Sequence, residues 1–331
     1  MSTNLKGFTS VFQYTLSNDI LDGLVEFFDY ALLEKGNYFN VTLNEQSPNG
    51  EDYSRLRPAS EPRFTDGQAW EGFRSNWVWQ TGVNYSPSPI TTNNTGKPGV
   101  SGVYVDDTFH PHGSVGTYAH HVDYHNGRVV FDSPISTESR VQLEYSYKWI
   151  NVSYACNLPW VRQIQQNSNQ PDVNFIDGKD SDVQIPPETK VQLPTIAIEV
   201  VPSRKFKGYQ LGGGQYVYTD VLFHCIAEDE VTRNTLVDIV SLQSDKTIQL
   251  FNTNKIHEDG VYPLDYRGSP VLNTKEYPEI VLSEDYNGGN LRLTNVQVQD
   301  MIAVNSNIYG GIVRMTTEGI KENIIFKLPK I

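Results

Sequence analysis

Two long polar stretches divide this 331-residue chain into three parts and limit the folds that it can adopt. The first covers residues 44–67 and the second runs from Arg162 to Lys190. Both are rich in polar residues and proline, and neither shows a sustained hydrophobic period, which is typical of loops and linkers. Between them, residues 70–151 contain short aromatic and β-branched runs bounded by turn residues, a pattern typical of strands. We therefore predict a β-rich domain inserted at residues 51–190, with a polar linker at each end.

The flanking residues, 1–50 and 191–331, predict an α+β core. Apolar residues recur at three- and four-residue spacing from Ile20 to Leu32, and Ser17 or Asn18 can cap this helix. A strand follows at residues 37–43, a second helix is predicted for residues 228–243, and several strands surround it. The predicted fold class is α+β: a small mixed sheet with two packed helices, interrupted by a large all-β inserted domain.

Charge and cysteine usage exclude several classes of function. The formal net charge of -13 repels nucleic-acid phosphates, so sequence-specific binding of DNA or RNA is not expected. An acidic surface does suit a passage through which DNA slides without sticking. Cys156 and Cys225 lie far apart in no metal-binding spacing, and no stretch approaches the roughly 20 apolar residues that span a bilayer. We expect no membrane partner and no cofactor.

The sequence motifs do not predict an enzyme. The glycines of Gln210 to Tyr216 lack the Lys-Ser/Thr ending of a phosphate-binding loop, so we interpret them as a hairpin connection. The stretch that begins at Asp177 has Asp182 where a calcium loop requires glycine. His110 and His112 resemble the His-x-His pairs of iron-binding fibres, but a proline-broken loop is the simpler reading. We predict no catalytic and no cofactor-binding residues.

The histidine-rich stretch TYAHHVDYHNGRVVFD, residues 117–132, is the one candidate for a metal site. Asn126-Gly127 favours a two-residue type I′ turn, which would set His121 opposite Asp132 and Asp123 opposite Val130. Alternation along the strands then gives one apolar face and one solvated face. On the solvated face, His121, Asp123 and Asp132 would come close enough to share a metal. A metal-dependent hydrolase is the function that such a site would imply, although an ordinary cross-strand pair is the preferred interpretation.

The core segments resemble a known family. LDGLVEFFDYALLEKGNYFNVTL, PTIAIEVVPSRKFKGYQLGGGQYVYTDVLFHCIAEDEVTRNTLVDIVSLQSDKTIQLFN and NSNIYGGIVRMTTE are similar to the neck and tail-terminator proteins of tailed bacteriophages. The resemblance implies a non-enzymatic virion protein, assembled in the host cytoplasm, that forms a hexameric ring. Its implied partners are further copies of itself, the connector or stopper, the tail tube and the sheath, with genomic DNA passing through the lumen.

A second function remains open from the sequence. The five tryptophans, which lie in or beside the inserted segment, could form a platform on which sugar rings stack: Trp70, Trp77, Trp79, Trp149 and Trp160. A baseplate or fibre-attachment protein with a glycan-binding or receptor-binding insert is therefore the alternative prediction.

Overall fold

The structure of the protein is a computed structural model. It describes residues 10–44, 46, 50, 52–80, 91–92, 98–158, 192–210, 213–261, 264–270, 274–305 and 308–321. The second polar stretch, Trp160, the Asp177 stretch and part of the glycine run before Tyr216 lie outside these residues. The helices in the described part are α1 (Leu16–Glu34), α2 (Glu230–Ser241), α3 (Thr253–Asp259) and α4 (Tyr277–Val281), with a short 3₁₀ turn at Ala155–Asn157.

The described strands lie in five sheets. In chain order they are β1 (Phe39–Val41), β2 (Arg57–Pro58), β3 (Ala69–Glu71), β4 (Thr91–Thr92), β5 (Pro98–Gly99), β6 (Gly102–Val105), β7 (Thr108–Pro111), β8 (His120–Asp123), β9 (Arg128–Phe131), β10 (Val141–Gln142), β11 (Tyr145–Tyr147), β12 (Asn151–Tyr154), β13 (Thr195–Gln210), β14 (Gly213–Ala227), β15 (Thr247–Phe251), β16 (Asn287–Asn305) and β17 (Ile308–Lys321).

The largest sheet has six strands in the order β12-β13-β14-β17-β16-β15. β12 is parallel to β13, and the other neighbours are antiparallel. Helices α1 and α2 pack on one face of this sheet, where their apolar residues join one hydrophobic cluster with the strands. Leu24 of α1 and Leu236 of α2 are fully buried there. Burial of one such side chain contributes about 1.5–3 kcal/mol, so this cluster stabilises both helices.

The predicted fold class is wrong. The described structure is mostly β, and its main sheet curls into a half-barrel instead of forming a small two-helix α+β core. The reason lies in the strand lengths: β13 has 16 residues and β16 has 19, and long twisted strands curl a sheet. β13 continues up to Gln210, where the predicted hairpin connection begins. The sheet therefore extends well beyond the surface that α1 and α2 cover.

The inserted segment has its own aromatic core. Its main sheet has the order β2-β3-β9-β8, and β10-β6-β7 forms a second small sheet. Two strands cross the predicted domain boundaries: β1 pairs with β11, and β12 forms the edge of the six-stranded sheet. Trp70, Trp77 and Trp79, which were candidates for a sugar-stacking platform, are buried in the core of the insert.

Candidate functional site

The histidine hairpin forms, but in a different register from the predicted one. β8 and β9 pair Val122 with Val129 and Asp123 with Arg128, so the turn holds the four residues 124–127. The predicted two-residue turn is therefore wrong. The Asp123 carboxylate closes the longer loop, because its Oδ1 accepts from the backbone N–H of Asn126 at 3.1 Å. Asn126 also donates through its side-chain amide to Asp123 Oδ2 at 2.8 Å.

The face predicted to be solvated is partly buried. Asp123 and Arg128 form an ion pair at 2.8 Å, with side-chain exposures of 8% and 3%. Arg128 also binds Glu61 at 2.6 Å and lies over the ring of Phe64. Asp132 stays exposed. An apolar strand face was predicted correctly for the other side, where Val122, Val129 and Phe131 are buried.

The metal hypothesis for His121, Asp123 and Asp132 gains no support from this geometry. Both oxygens of Asp123 already accept hydrogen bonds, and His121 lies opposite Val130 instead of Asp132. Within the described ranges, no group of three His, Cys, Asp or Glu side chains is placed to hold a metal ion. His110, predicted to lie in a loop, is part of β7 and packs against the ring of Tyr118.

The hairpin instead forms one wall of a cavity of about 820 Å³. Residues of α1, of β12 and of the segment 264–268 also line it. The polar side chains that face the cavity include Glu26, Asp29, Gln80, His121, His125 and Lys148. The cavity therefore lies where the helix-covered sheet meets the inserted segment.

A buried ion pair connects these two parts of the chain. Lys148 Nζ lies 2.5 Å from Asp29 Oδ2, and the side chain of Lys148 is 3% exposed. Gln80 donates through Nε2 to the same oxygen at 2.9 Å. The other oxygen, Asp29 Oδ1, is buried and has no hydrogen-bond partner among the described residues. Asp29 belongs to α1, whereas Gln80 and Lys148 belong to the inserted segment, so the network ties the insert to the helix.

Glu26 carries the most perturbed carboxyl group at this cavity. Removal from water and the nearby Asp29 charge raise its pKa to about 8, and Lys148 opposes both effects. Burial also raises the pKa of Asp22 to about 6, against hydrogen bonds from Tyr154 and Thr253. These three acids follow one another at four- and three-residue spacing along α1, so they share one side of the helix. The spacing of these three acids is visible in the sequence, but the spacing of apolar residues, which predicts the helix, does not reveal it.

Replacing Glu26 by glutamine is expected to stabilise the protein at alkaline pH. A carboxyl group whose folded pKa lies above its unfolded pKa binds more protons in the folded state, so stability falls as pH rises between about 4.5 and 8. We expect Glu26→Gln to raise the free energy of unfolding by about 1–3 kcal/mol at pH 8.5 and to change it little at pH 4. Urea unfolding from pH 4 to 8.5 measures this. Glu34→Gln, on the exposed end of α1, is the control. Equal pH profiles for the wild type and Glu26→Gln would contradict the assignment.

The histidines at the hairpin are uncharged at neutral pH. Burial lowers the pKa of His120, His121 and His125 below that of a free imidazole. Nδ1 of His121 is buried and has no hydrogen-bond partner in the described part of the chain. The cavity therefore combines neutral imidazoles with a paired Asp29 and Lys148, an arrangement that holds two structural units together.

The second notable feature is the pair of long edges of the six-stranded sheet. β12 pairs with β13 only as far as Ile198, so residues 199–210 have no strand on their outer side among the described residues. On the other side of the sheet, β15 pairs with β16 only as far as Arg292, and one further pair of backbone hydrogen bonds reaches Leu293. Residues 294–305 of β16 likewise have no strand on their outer side in the part of the chain that the structure describes. Phe206 and Val298 are 55% and 50% exposed at these two edges.

The face of the sheet opposite α1 and α2 carries a polar patch around Asp220 and Arg314, in addition to a small apolar cluster that includes Ala197 and Ile226. Asp220 forms an ion pair with Arg314 and accepts a hydrogen bond from Thr316 Oγ1 at 2.9 Å. Partial burial acts to raise the pKa of Asp220, but hydrogen bonds and the positive charge of Arg314 lower it below its usual range. Tyr218 donates to Glu318 at 3.2 Å on the same face. This patch therefore suits contact with water or with a polar partner.

Comparison of the sequence with protein-family models and with curated proteins finds no match. In the part of the chain that the structure describes, no helix has both the length and the apolar character needed to cross a membrane.

Proposed function

We propose that this protein is a non-enzymatic virion structural protein of a tailed bacteriophage, which closes into a ring at the phage neck. One observation carries the proposal: two strand edges that have no outer neighbour among the described residues lie on opposite sides of one curled sheet. An unpaired edge presents a row of N–H and C=O groups that a further strand can bind. The resemblance of the core segments to neck and tail-terminator proteins supports the same function.

Two different edges favour a closed ring over a simple dimer. Contacts between unlike surfaces repeat head to tail, and they close when the rotation between neighbours divides a full turn. A curled sheet supplies part of that rotation. The net charge of -13 suits a lumen through which DNA passes without binding. We propose a hexamer whose ends contact the connector or stopper on one side and the tail tube or sheath on the other.

The alternative of a glycan-binding insert has less support. Three of the five tryptophans on which it depended are core residues, and Trp149, which is 37% exposed, contacts Phe39 and Arg74. A receptor-binding function is therefore not proposed.

The mass of the assembled protein tests the proposal. Native mass spectrometry of the purified chain is expected to give a closed species of six times the 37.4 kDa subunit. Electron microscopy of intact particles, with an antibody against this chain, is expected to place the label at the neck. A chain that stays monomeric alone and is absent from the particle would overturn the proposal. A label at the tail tip would overturn the neck assignment alone.

A further inference from the structure

The two edges that have no outer neighbour among the described residues differ in composition, and the two compositions are compatible. On β13, residues 204–208 read RKFKG, with three basic side chains and Phe206. On β16, residues 294–299 read TNVQVQ, which is uncharged and alternates β-branched with amide residues. Residues 294–305 include one formal charge, the acidic Asp300. A basic edge meets an uncharged edge without the like-charge repulsion that two β13 edges would impose on each other.

The faces of the two edges also match. Phe206 lies opposite Val217 and, across the sheet, in the row of Gly319 and Leu291, so it is on the face that α1 covers. Val298 lies opposite Val313 of the same hydrophobic cluster. Cross-strand neighbours share a face of the sheet. Both exposed apolar side chains therefore extend the helix-covered face.

Polar residues of both edges lie on the other face, whereas Arg204, opposite Thr219, lies on the helix-covered face. Lys205 pairs with Tyr218, and Gln297 pairs with Arg314, both on the face opposite the helices. A strand joined to this sheet must keep its apolar residues on one face and its polar residues on the other. The β13 edge of one molecule and the β16 edge of another meet this condition together.

We infer that residues 204–208 of β13 pair, as an antiparallel strand, with residues 294–299 of β16 in a second copy of this chain. This inference rests on the proposed ring and specifies its contact. Antiparallel pairing continues the alternation that runs from β13 to β14, β17 and β16. It brings Phe206 of one copy beside Val298 of the next and removes both from water.

The positions of the edges also predict the arrangement of the strands. Cross-strand partners place Phe206 level with Leu291, which pairs with β15. They place Val298, through Val313 and Phe223, level with Ile198, which pairs with β12. Pairing the two edges therefore staggers each sheet relative to its neighbour. A constant stagger is what closes tilted strands into a barrel.

Cross-linking between singly substituted chains tests the contact. Lys205→Cys and Gln297→Cys are made separately in a Cys156→Ser background, because Cys156 is exposed while Cys225 is buried. The two chains are co-expressed and treated with a short bis-maleimide. We expect a species of twice the 37.4 kDa subunit mass from the mixture and none from either chain alone. Arg292→Cys, on the same strand and face but beside β15, is the matched control for Gln297→Cys and is expected not to cross-link.

The outcomes separate this contact from the ring itself. Cross-linking of Lys205→Cys chains with one another would show two like edges meeting and would overturn the inference. A ring of normal mass without a cross-link in the mixture would overturn the β13–β16 contact and leave the proposed function standing. A chain that is monomeric throughout would overturn both.

A surface substitution gives a second measurement. Phe206→Ser is expected to convert the ring to the 37.4 kDa monomer without unfolding it, because Phe206 is half exposed in the single chain. Val115→Ser, which removes an exposed valine of the insert, is the control and is expected to leave the ring mass unchanged. An intact ring in Phe206→Ser would contradict the contact.

Discussion

Replacing Lys148 by methionine is expected to lower the free energy of unfolding by about 3–5 kcal/mol, because it leaves the buried negative charge of Asp29 without a positive charge beside it. Asp29 is 7% exposed and has one oxygen that accepts from Lys148 and Gln80 and another with no described hydrogen-bond partner. Methionine keeps most of the volume of the lysine stem, so the loss measures the charge more than the packing. Urea unfolding followed by tryptophan fluorescence gives the value.

The double variant Lys148→Met, Asp29→Leu is the matched control. Replacing both members of a buried ion pair by apolar residues is often close to neutral, so most of the lost stability is expected to return. A single variant as stable as the wild type would contradict the ion pair. A double variant as unstable as the single one would show that Lys148 acts through packing alone. Because the pair joins α1 to the insert, the single variant is also expected to make the insert unfold before the sheet.

Phe131→Asp is expected to unfold the inserted segment. Phe131 has no exposed surface and lies in the aromatic cluster of the insert, against His120. The substitution removes a core side chain and buries a carboxylate, which together cost more than about 4 kcal/mol. Limited proteolysis is expected to cut the insert, and the emission of its buried tryptophans is expected to shift to the red. The neighbouring Asp132→Ala, at an exposed site, is the control and is expected to change stability by less than about 0.5 kcal/mol. Protection of the insert in Phe131→Asp would contradict its place in the core.

The sequence predicts local elements well where one strong pattern decides them. The helical spacing from Ile20 to Leu32 predicts α1, which begins at Leu16 and ends at Glu34 before Gly36 takes a positive φ of 88°. The helix predicted for residues 228–243 forms as α2, and Asp229 caps it by accepting from the N–H of Thr232 at 2.8 Å. Strands β14, β16 and β17 also follow the alternation that predicts them.

The extent of the main sheet could not be predicted from local pattern. Lys205, Lys207 and Gly208 have turn-like composition, yet cross-strand pairing with β14 keeps them extended. Helix α4 is only five residues long, and a contact of Tyr277 with Gln249 of β15 helps to place it. In β13, tertiary pairing therefore overrides the local preference.

The candidate site depends on contacts between residues far apart in the sequence. Asp29 and Lys148 are 119 positions apart, and no local pattern predicts that they pair. The hairpin face predicted to be solvated is covered in part by residues 264–270, where Gly268 accepts from the backbone N–H of Tyr124 and Ser269 donates to the carbonyl of Val122. The hairpin sequence alone does not show this contact, so it predicts solvent exposure for a face that is partly buried.

The irregular stretch of β13 between Val200 and Arg204 limits how other chains can pair with this edge. This stretch contains Pro202, which has no N–H to offer to an incoming strand. A long regular edge is a site at which identical chains can pair edge to edge and grow into fibres. With this interruption, only a short partner strand can pair beyond Arg204, which limits such uncontrolled association.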